Sequence, residues 1–77
     1  MTFGEYIKEK RLEKGITLRG FAEMIDISPV YMCNLEKGRR QAPSEAVLIS
    51  ISTKLMLNKA EKDMLYDLAS KEQTAKN

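Results

Sequence analysis

Residues 28 to 43 read S-P-V-Y-M-C-N-L-E-K-G-R-R-Q-A-P and bring together a thiol, an amide, an acid and three cations. Nucleophilic use of Cys33 would need a nearby base such as histidine, and the chain contains none. A single cysteine without histidine also excludes a disulfide framework and a conventional zinc site. The chain has no glycine-rich phosphate loop either. We therefore expect no enzyme, no metal and no cofactor.

Length and composition place the chain among small cytosolic domains. Its 77 residues, 43% apolar and 31% charged, have room for one core. No apolar run approaches the roughly 20 residues that span a bilayer, and the first residues lack the basic-then-apolar order of a signal peptide. The lone cysteine fits a reducing compartment. The expected location is the cytoplasm, with no membrane partner.

Helix start and stop signals divide the chain into five short helices, and so predict an all-α fold. The first helix runs from Phe3 to Lys14, with Phe3, Ile7 and Leu12 toward the core, and ends at Gly15. Thr17 caps the second helix. Ser28 caps the third, which has Pro29 in its first turn and ends at Gly38.

The second half of the chain supplies two further helices. The fourth begins at Pro43-Ser44 and includes residues 47 to 52, whose composition is strand-like; we expect a helix because no partner strand is evident. Asn58 and Glu61 resemble a capping box for the fifth. Residues 1–70 should form the domain, and residues 71–77 a polar, frayed tail.

Residues 18–37 have the spacing of a helix-turn-helix unit, with the small Ala22 where two helices cross. Apolar contacts from Ile25, Ile27, Met32 and Leu35 would occupy the inner face. The third helix would then show Pro29, Val30, Cys33 and Asn34 to the outside. An uncharged helix face flanked by cations is odd for a solvated surface, but it suits the floor of a DNA major groove.

The stretch from Phe3 to Leu57 resembles the Cro/repressor family of helix-turn-helix regulators, also called XRE-like. The resemblance rests on the run S-P-V-Y-M-C-N-L-E-K-G-R-R-Q-A-P-S, joined to the upstream T-L-R-G-F-A. It implies a compact five-helix domain of the lambda repressor-like type. It also implies sequence-specific binding to double-stranded operator DNA, usually as a homodimer.

The resemblance also assigns roles to residues. Helix 28–37 would enter the major groove, with base contacts from Pro29, Val30, Cys33 and Asn34. Phosphate contacts would come from Thr17, Arg19, Ser28, Tyr31, Lys37, Arg39 and Arg40. Arg11 and Glu36 would form an ion pair that turns the acid inward.

Three positions depart from the family pattern. Asp26 stands where glycine is usual, and aspartate adopts a left-handed backbone more readily than most residues. Gly20 replaces an acid and so removes a capping box. Leu18 replaces a glutamine that often meets a phosphate, a contact for which Arg19 would compensate.

Several of these residues also have a purely structural interpretation. Asn34 can pair with adenine N6 and N7, or it can be an ordinary surface amide. Ser28 can serve as a cap alone, Tyr31 can pack, and Cys33 can satisfy a size limit. The cations at residues 37–40 can simply solubilise a turn.

The expected function is a transcriptional regulator, a repressor that occupies a palindromic operator as a homodimer. The alternative is an antitoxin of a toxin–antitoxin pair, or a small protein-interaction module on the same fold. The end of the fourth helix and the fifth helix offer apolar side chains for a dimer interface, unless these side chains fill the monomer core. They are Leu55, Met56, Leu57, Met64, Leu65 and Leu68.

Overall fold

The computed structural model describes residues 1–74, and within them the chain is entirely helix and turn. The helices are α1 (Phe3–Glu13), α2 (Leu18–Met24), α3 (Pro29–Glu36), α4 (Glu45–Lys54) and α5 (Lys59–Thr74). The prediction of an all-α five-helix domain is confirmed. The strand-like residues 47 to 52 lie within α4, as expected. None of these helices has the length and apolarity needed to cross a membrane.

Side-chain caps fix where most of the helices begin. The hydroxyl oxygens of Thr2, Thr17 and Ser28 each accept the backbone N–H three residues on, at 3.0–3.1 Å. Asn58 and Glu61 form the predicted reciprocal capping box of α5, at 2.8 and 2.9 Å. Ser44 precedes α4 in cap conformation, but its side chain makes no capping hydrogen bond.

Helices α1 to α4 all end in the same way, with one residue in left-handed conformation. These residues are Gly15 (φ 70°), Asp26 (φ 61°), Gly38 (φ 76°) and Met56 (φ 53°). In each case the next N–H bonds back to the carbonyl five residues earlier, as in a Schellman motif. Asp26 adopts the backbone expected of it. Met56 also has a left-handed backbone, and for a residue other than glycine this conformation costs of order 1–3 kcal/mol.

Helix α1 packs on both α3 and α5, with α2 packed on α3 and α4 on α5. Among the described residues, fourteen apolar side chains form the buried core, and they include Phe3, Ile7, Phe21, Met32, Leu35 and Ile51. The prediction that Leu12 faces the core is wrong, because its side chain is 58% exposed. Arg11, four residues after Ile7, takes the inward position instead, and the next residue turns away by about 100°.

The fifth helix continues beyond the predicted domain limit of residue 70. It reaches Thr74, and the carboxylate of Glu72 accepts the backbone N–H of Phe3 at 3.0 Å. The first N–H groups of a helix lack partners within the helix, and its positive end attracts an anion. Glu72 therefore ties the start of α1 to the end of α5. Residues 75–77 of the predicted tail lie outside the described residues.

A second link between α1 and α5 involves Lys10, Tyr6 and Glu61. The Lys10 ammonium lies 3.1 Å from the Glu61 carboxylate, and the Tyr6 hydroxyl donates to the Glu61 carbonyl at 3.3 Å. The Asn58 N–H and then Lys10 hold the pKa of Glu61 below its usual range. The capping box of α5 is thereby joined to the middle of α1.

Gly4 allows α1 to lie directly against the end of α3. A Cβ at this position would overlap the carbonyl oxygen of Leu35 and lie 2.5 Å from that of Glu36. Both atoms belong to the backbone and cannot rotate away. A side chain of any size would push α3 off α1.

Gly4→Ala should therefore destabilise the domain by about 1–3 kcal/mol, the usual range for an overpacked core. In an open helix the same change would stabilise by roughly 1 kcal/mol, because alanine is the better helix former. The sign of the change in melting temperature decides between the two. A matched control is Gly20→Ala, whose Cβ would meet only the Thr17 hydroxyl at 2.9 Å. A Gly4→Ala variant whose melting temperature equals or exceeds that of the parent would contradict the close approach of α1 to α3.

Candidate nucleic-acid interface

The outer face of α3 is uncharged and open. Met32 and Leu35 bury the inner face of this helix, and Glu36 also points inward. Val30 is 71% exposed, whereas Pro29, Cys33 and Asn34 are half-buried. All four residues predicted to contact bases therefore lie on accessible surface of one short helix.

The buried pair of Arg11 and Glu36 holds this helix from behind. Arg11 Nε donates to Glu36 Oε2 at 2.7 Å, and a second guanidinium nitrogen donates to Oε1 at 2.9 Å. The remaining nitrogen donates to the carbonyl of Ile16 at 2.9 Å. Only 6% of Arg11 and 8% of Glu36 is exposed, and the hydrogen bonds to Glu36 raise the pKa of Arg11. The pair thus joins α1 and the turn before α2 to the end of α3.

The end of α3 directs three cations outward. The Gly38 N–H donates to the Leu35 carbonyl at 3.2 Å, and the Arg39 N–H donates to the Asn34 carbonyl at 2.9 Å. These bonds reverse the chain at Gly38. Lys37, Arg39 and Arg40 are all exposed. Within the described residues no carboxylate pairs with any of them.

The Arg40 guanidinium lies over the ring of Tyr31, 5.2 Å from its centre. Both side chains border an open concavity of about 470 Å³, formed with residues 39 and 41–44. Ser44 belongs to this concavity. Its hydroxyl and the start of α4 add hydrogen-bond donors that the sequence interpretation missed. The signal was present, since Ser44 follows a proline at a helix start.

The start of α2 provides the remaining residues of the predicted phosphate set. The Thr17 oxygen accepts the Gly20 N–H at 3.0 Å, which leaves the hydroxyl proton free to donate. Arg19 is exposed, and no described carboxylate pairs with it. Ser28 likewise caps α3 through its oxygen. Each of these groups can still offer a proton to an anion.

Cys33 lies in the middle of the outer face as a free, half-buried thiol. No cluster of residues suited to a metal ion occurs in the described part of the chain.

The predicted dimer residues divide into two groups. Leu55, Leu57 and Leu65 are buried in the core and have no surface to offer a partner, which corrects the interface prediction for these three. The reason is that all three side chains belong to the buried core cluster, at the end of α4, in the turn that follows it and on α5. Met56 is 72% exposed, Met64 is also exposed, and Leu68 is half-buried.

Comparison with known proteins identifies the class. A helix-turn-helix family model, HTH_3, matches residues 7–58. The chain belongs to this Cro/C1-type helix-turn-helix family, as its sequence resemblance predicted. It is a DNA-binding transcriptional regulator, and the family is not one of enzymes. Among curated protein sequences, none matches the chain.

Two solved structures of the clp gene regulator ClgR from Corynebacterium glutamicum are similar to this chain. One is 33% identical, with a TM-score of 0.71, and the match covers 82% of this chain and 80% of that one. The other is 32% identical, with a TM-score of 0.69 and coverage of 96% and 83%.

Removing one member of the Arg11–Glu36 pair should cost about 3–5 kcal/mol, because the other charge is left buried and unpaired. Arg11→Met and Glu36→Gln should each lower the melting temperature, by roughly 4–8 °C per kcal/mol for a domain of this size. The double variant Arg11→Met/Glu36→Leu should recover part of that loss, since neither charge remains.

The control for this experiment is Lys59→Met, which breaks an exposed ion pair with Asp63. Exposed pairs contribute well under about 1 kcal/mol. Single variants of Arg11 or Glu36 that melt like the Lys59 control would show that the buried pair does not hold the fold.

Proposed function

We propose that this protein is a repressor that binds a palindromic operator as a homodimer, with α3 in the major groove. The observation that carries the proposal is the outer face of α3. It is uncharged across Pro29, Val30, Cys33 and Asn34, while the only acid of the helix, Glu36, is buried in an ion pair. This arrangement suits a base-reading surface, since an exposed carboxylate beside the groove would repel phosphates.

Within this proposal Asn34 reads a base. Its amide can donate to and accept from adenine N7 and N6 at once, a pairing that distinguishes adenine from the other bases. The backbone carbonyl of Asn34 accepts a hydrogen bond from the Arg39 N–H, so the Asn34 side chain projects from a fixed turn of the helix. Val30 supplies an apolar contact suited to a thymine methyl group.

The cations around this face supply affinity without reading sequence. Lys37, Arg39 and Arg40 follow α3, and Arg19 lies in the first turn of α2, the helix that packs on α3. Phosphate contacts fix the register of a protein on the duplex, and base contacts specify the site. Thr17 and Ser28 add hydroxyl donors to this border.

A dimer contacts enough base pairs to recognise a particular DNA site, which a single domain does not. One short helix reads only a few base pairs, whereas a two-fold dimer places two recognition helices about 34 Å apart, in successive grooves. The domain measures 33 × 28 × 22 Å, so two copies in contact can hold their recognition helices at a spacing of this order. The contact would use exposed apolar residues of α4, of α5 and of the turn between them, namely Ile49, Met56 and Met64.

The left-handed backbone of Met56 supports this surface. The Schellman turn that ends α4 holds Met56 in this conformation and leaves its side chain 72% exposed. Such strain often marks a site of function. Repression then needs only that the dimer occupies its operator. Its proposed place of action is the cytoplasm.

Asn34→Ala should weaken binding to the preferred duplex by about 1–3 kcal/mol and relax the preference at one base pair. The preferred duplex is first obtained by selection from a random pool with the parent protein. Lys37→Ala is the matched comparison, and it should weaken binding to all duplexes alike. Equal losses of the Asn34 variant on preferred and scrambled duplexes would show that Asn34 does not read a base.

Met64→Lys should disrupt the dimer while the fold is retained, because it places a charge within an apolar contact. We expect the coupling between the two half-sites to fall roughly tenfold, equivalent to about 1.4 kcal/mol. Leu12→Lys is the control, since Leu12 is similarly exposed but lies on α1, which is not part of the proposed contact. Sedimentation with a palindromic duplex gives the stoichiometry. One parent chain per palindrome at saturation would contradict the dimer.

A further inference from the structure

Arg40 is brought to Tyr31 by the path of the chain after α3. Gly38, in left-handed conformation, reverses the direction, and the Arg39 N–H is fastened to the Asn34 carbonyl. The next residue then folds back over the helix. Its guanidinium lies 5.2 Å from the centre of the Tyr31 ring, within the range of a cation–π contact.

Of the two partners, Tyr31 is the fixed one. Its ring is half-buried and packs against the core cluster, and its backbone N–H donates to the Ser28 oxygen at 3.0 Å. Arg40 is exposed and has no carboxylate partner among the described residues. A free arginine side chain samples many rotamers, and holding it in one place costs that entropy. Stacking on a fixed ring removes part of that entropy before any ligand binds.

The stacked pair lies at a boundary between two surfaces. On one side is an open concavity of about 500 Å³, lined also by Ser28, Val30 and Asn34 of the α3 outer face. On the other side is the concavity of residues 39–44 at the start of α4. Arg40 is therefore held where the uncharged face ends and the basic turn begins.

We propose that Tyr31 is a positioning residue, whose ring holds Arg40 at the edge of α3 so that the guanidinium meets a phosphate bordering the groove. This inference rests on the proposed binding of α3 to DNA. It replaces a direct phosphate contact from Tyr31 with an indirect role. A guanidinium presents a planar fork of donors to a phosphate, so its orientation matters more than that of an ammonium group.

The test separates the ring of Tyr31 from its hydroxyl group. Binding to the selected palindromic duplex is measured over a range of salt concentrations for Tyr31→Phe, Tyr31→Leu, Arg40→Gln and the double variant Tyr31→Leu/Arg40→Gln. Loss of one phosphate contact reduces the slope of log affinity against log salt by about 0.9. Arg40→Gln should show this loss, Tyr31→Leu most of it, and Tyr31→Phe almost none.

The double variant tests whether the two residues act together. Tyr31→Leu should cause no further loss once Arg40 is replaced by glutamine. In the matched background Arg39→Gln, the same Tyr31→Leu change should still lower the slope, because Arg39 does not stack on the ring. Losses from Tyr31→Leu and Arg40→Gln that simply add would overturn the positioning role.

Two further outcomes would also overturn it. If Tyr31→Phe loses as much as Tyr31→Leu, the hydroxyl itself meets the phosphate. If Tyr31→Leu binds like the parent, the ring has no role. In either case the parent still binds the duplex, and the proposed function stands. If the affinity of the parent protein for the duplex is the same at all salt concentrations, the proposed function itself is contradicted.

A spectroscopic measurement keeps the test decisive if Tyr31→Leu fails to fold. In the free parent protein and in Tyr31→Phe, the δ-methylene protons of Arg40 should resonate upfield of their usual position, because they lie over an aromatic ring. The corresponding protons of Arg39 serve as the internal reference. Arg40 protons at the same position as those of Arg39 would overturn the proposal without any DNA measurement.

Discussion

The bidentate ion pair between Arg11 and Glu36 is the contact on which the presentation of α3 depends. Two charges buried to this extent are costly to desolvate, and the cost is offset only because every donor involved has an acceptor. Two guanidinium nitrogens meet the carboxylate, and the third meets the Ile16 carbonyl. One side chain thus fastens α1, the turn that follows it and the last turn of α3.

Gly4 and Arg11 act as a pair along α1. They are seven residues apart, and therefore lie on the same face of the helix. Gly4 lets the α1 backbone approach the last carbonyls of α3, and Arg11 binds the side chain of Glu36 from the same helix. The depth and rotation of α3 are set by these two contacts. The face that remains outward is consequently the one that carries Val30 and Asn34.

The same ion pair shapes the electrostatics of the binding surface. Because Glu36 is turned inward, the exposed end of α3 is followed only by the cations at residues 37, 39 and 40. The Schellman turn at Gly38 then directs the chain back along the helix, which places Arg40 on Tyr31. Packing inside the domain and charge on its surface therefore follow from a single buried interaction.

Much of the fold could be predicted from sequence because its signals are local. Caps at Thr17, Ser28 and Asn58, and stops at Gly15 and Gly38, each involve residues within one helical turn. The prediction for Leu12 is wrong because Ile7 and Leu12 are five residues apart, whereas residues on one helical face are three or four apart. The buried position belongs to the charged Arg11, four residues after Ile7. Burial of Leu55, Leu57 and Leu65 depends on how α4 and α5 pack, which periodicity alone does not specify.

Local signals do not predict contacts between residues that are far apart in the sequence. The carboxylate of Glu72 caps a helix that begins 69 residues earlier, and nothing near Glu72 indicates this. The close approach at Gly4 and the stack of Arg40 on Tyr31 likewise need the path of the chain in space. The helix-turn-helix spacing located the candidate site itself, and the family resemblance assigned roles to its residues.

In the proposed complex the outer face of α3 contacts DNA, while α1 holds the helix from the opposite side. The most direct measurement is a map of NMR shift changes in isotope-labelled protein upon addition of its selected palindromic duplex. We predict the largest changes at Val30, Asn34 and Arg40, and little change at Leu12 on the exposed side of α1. A map centred on α1, with α3 unchanged at saturation, would contradict the account.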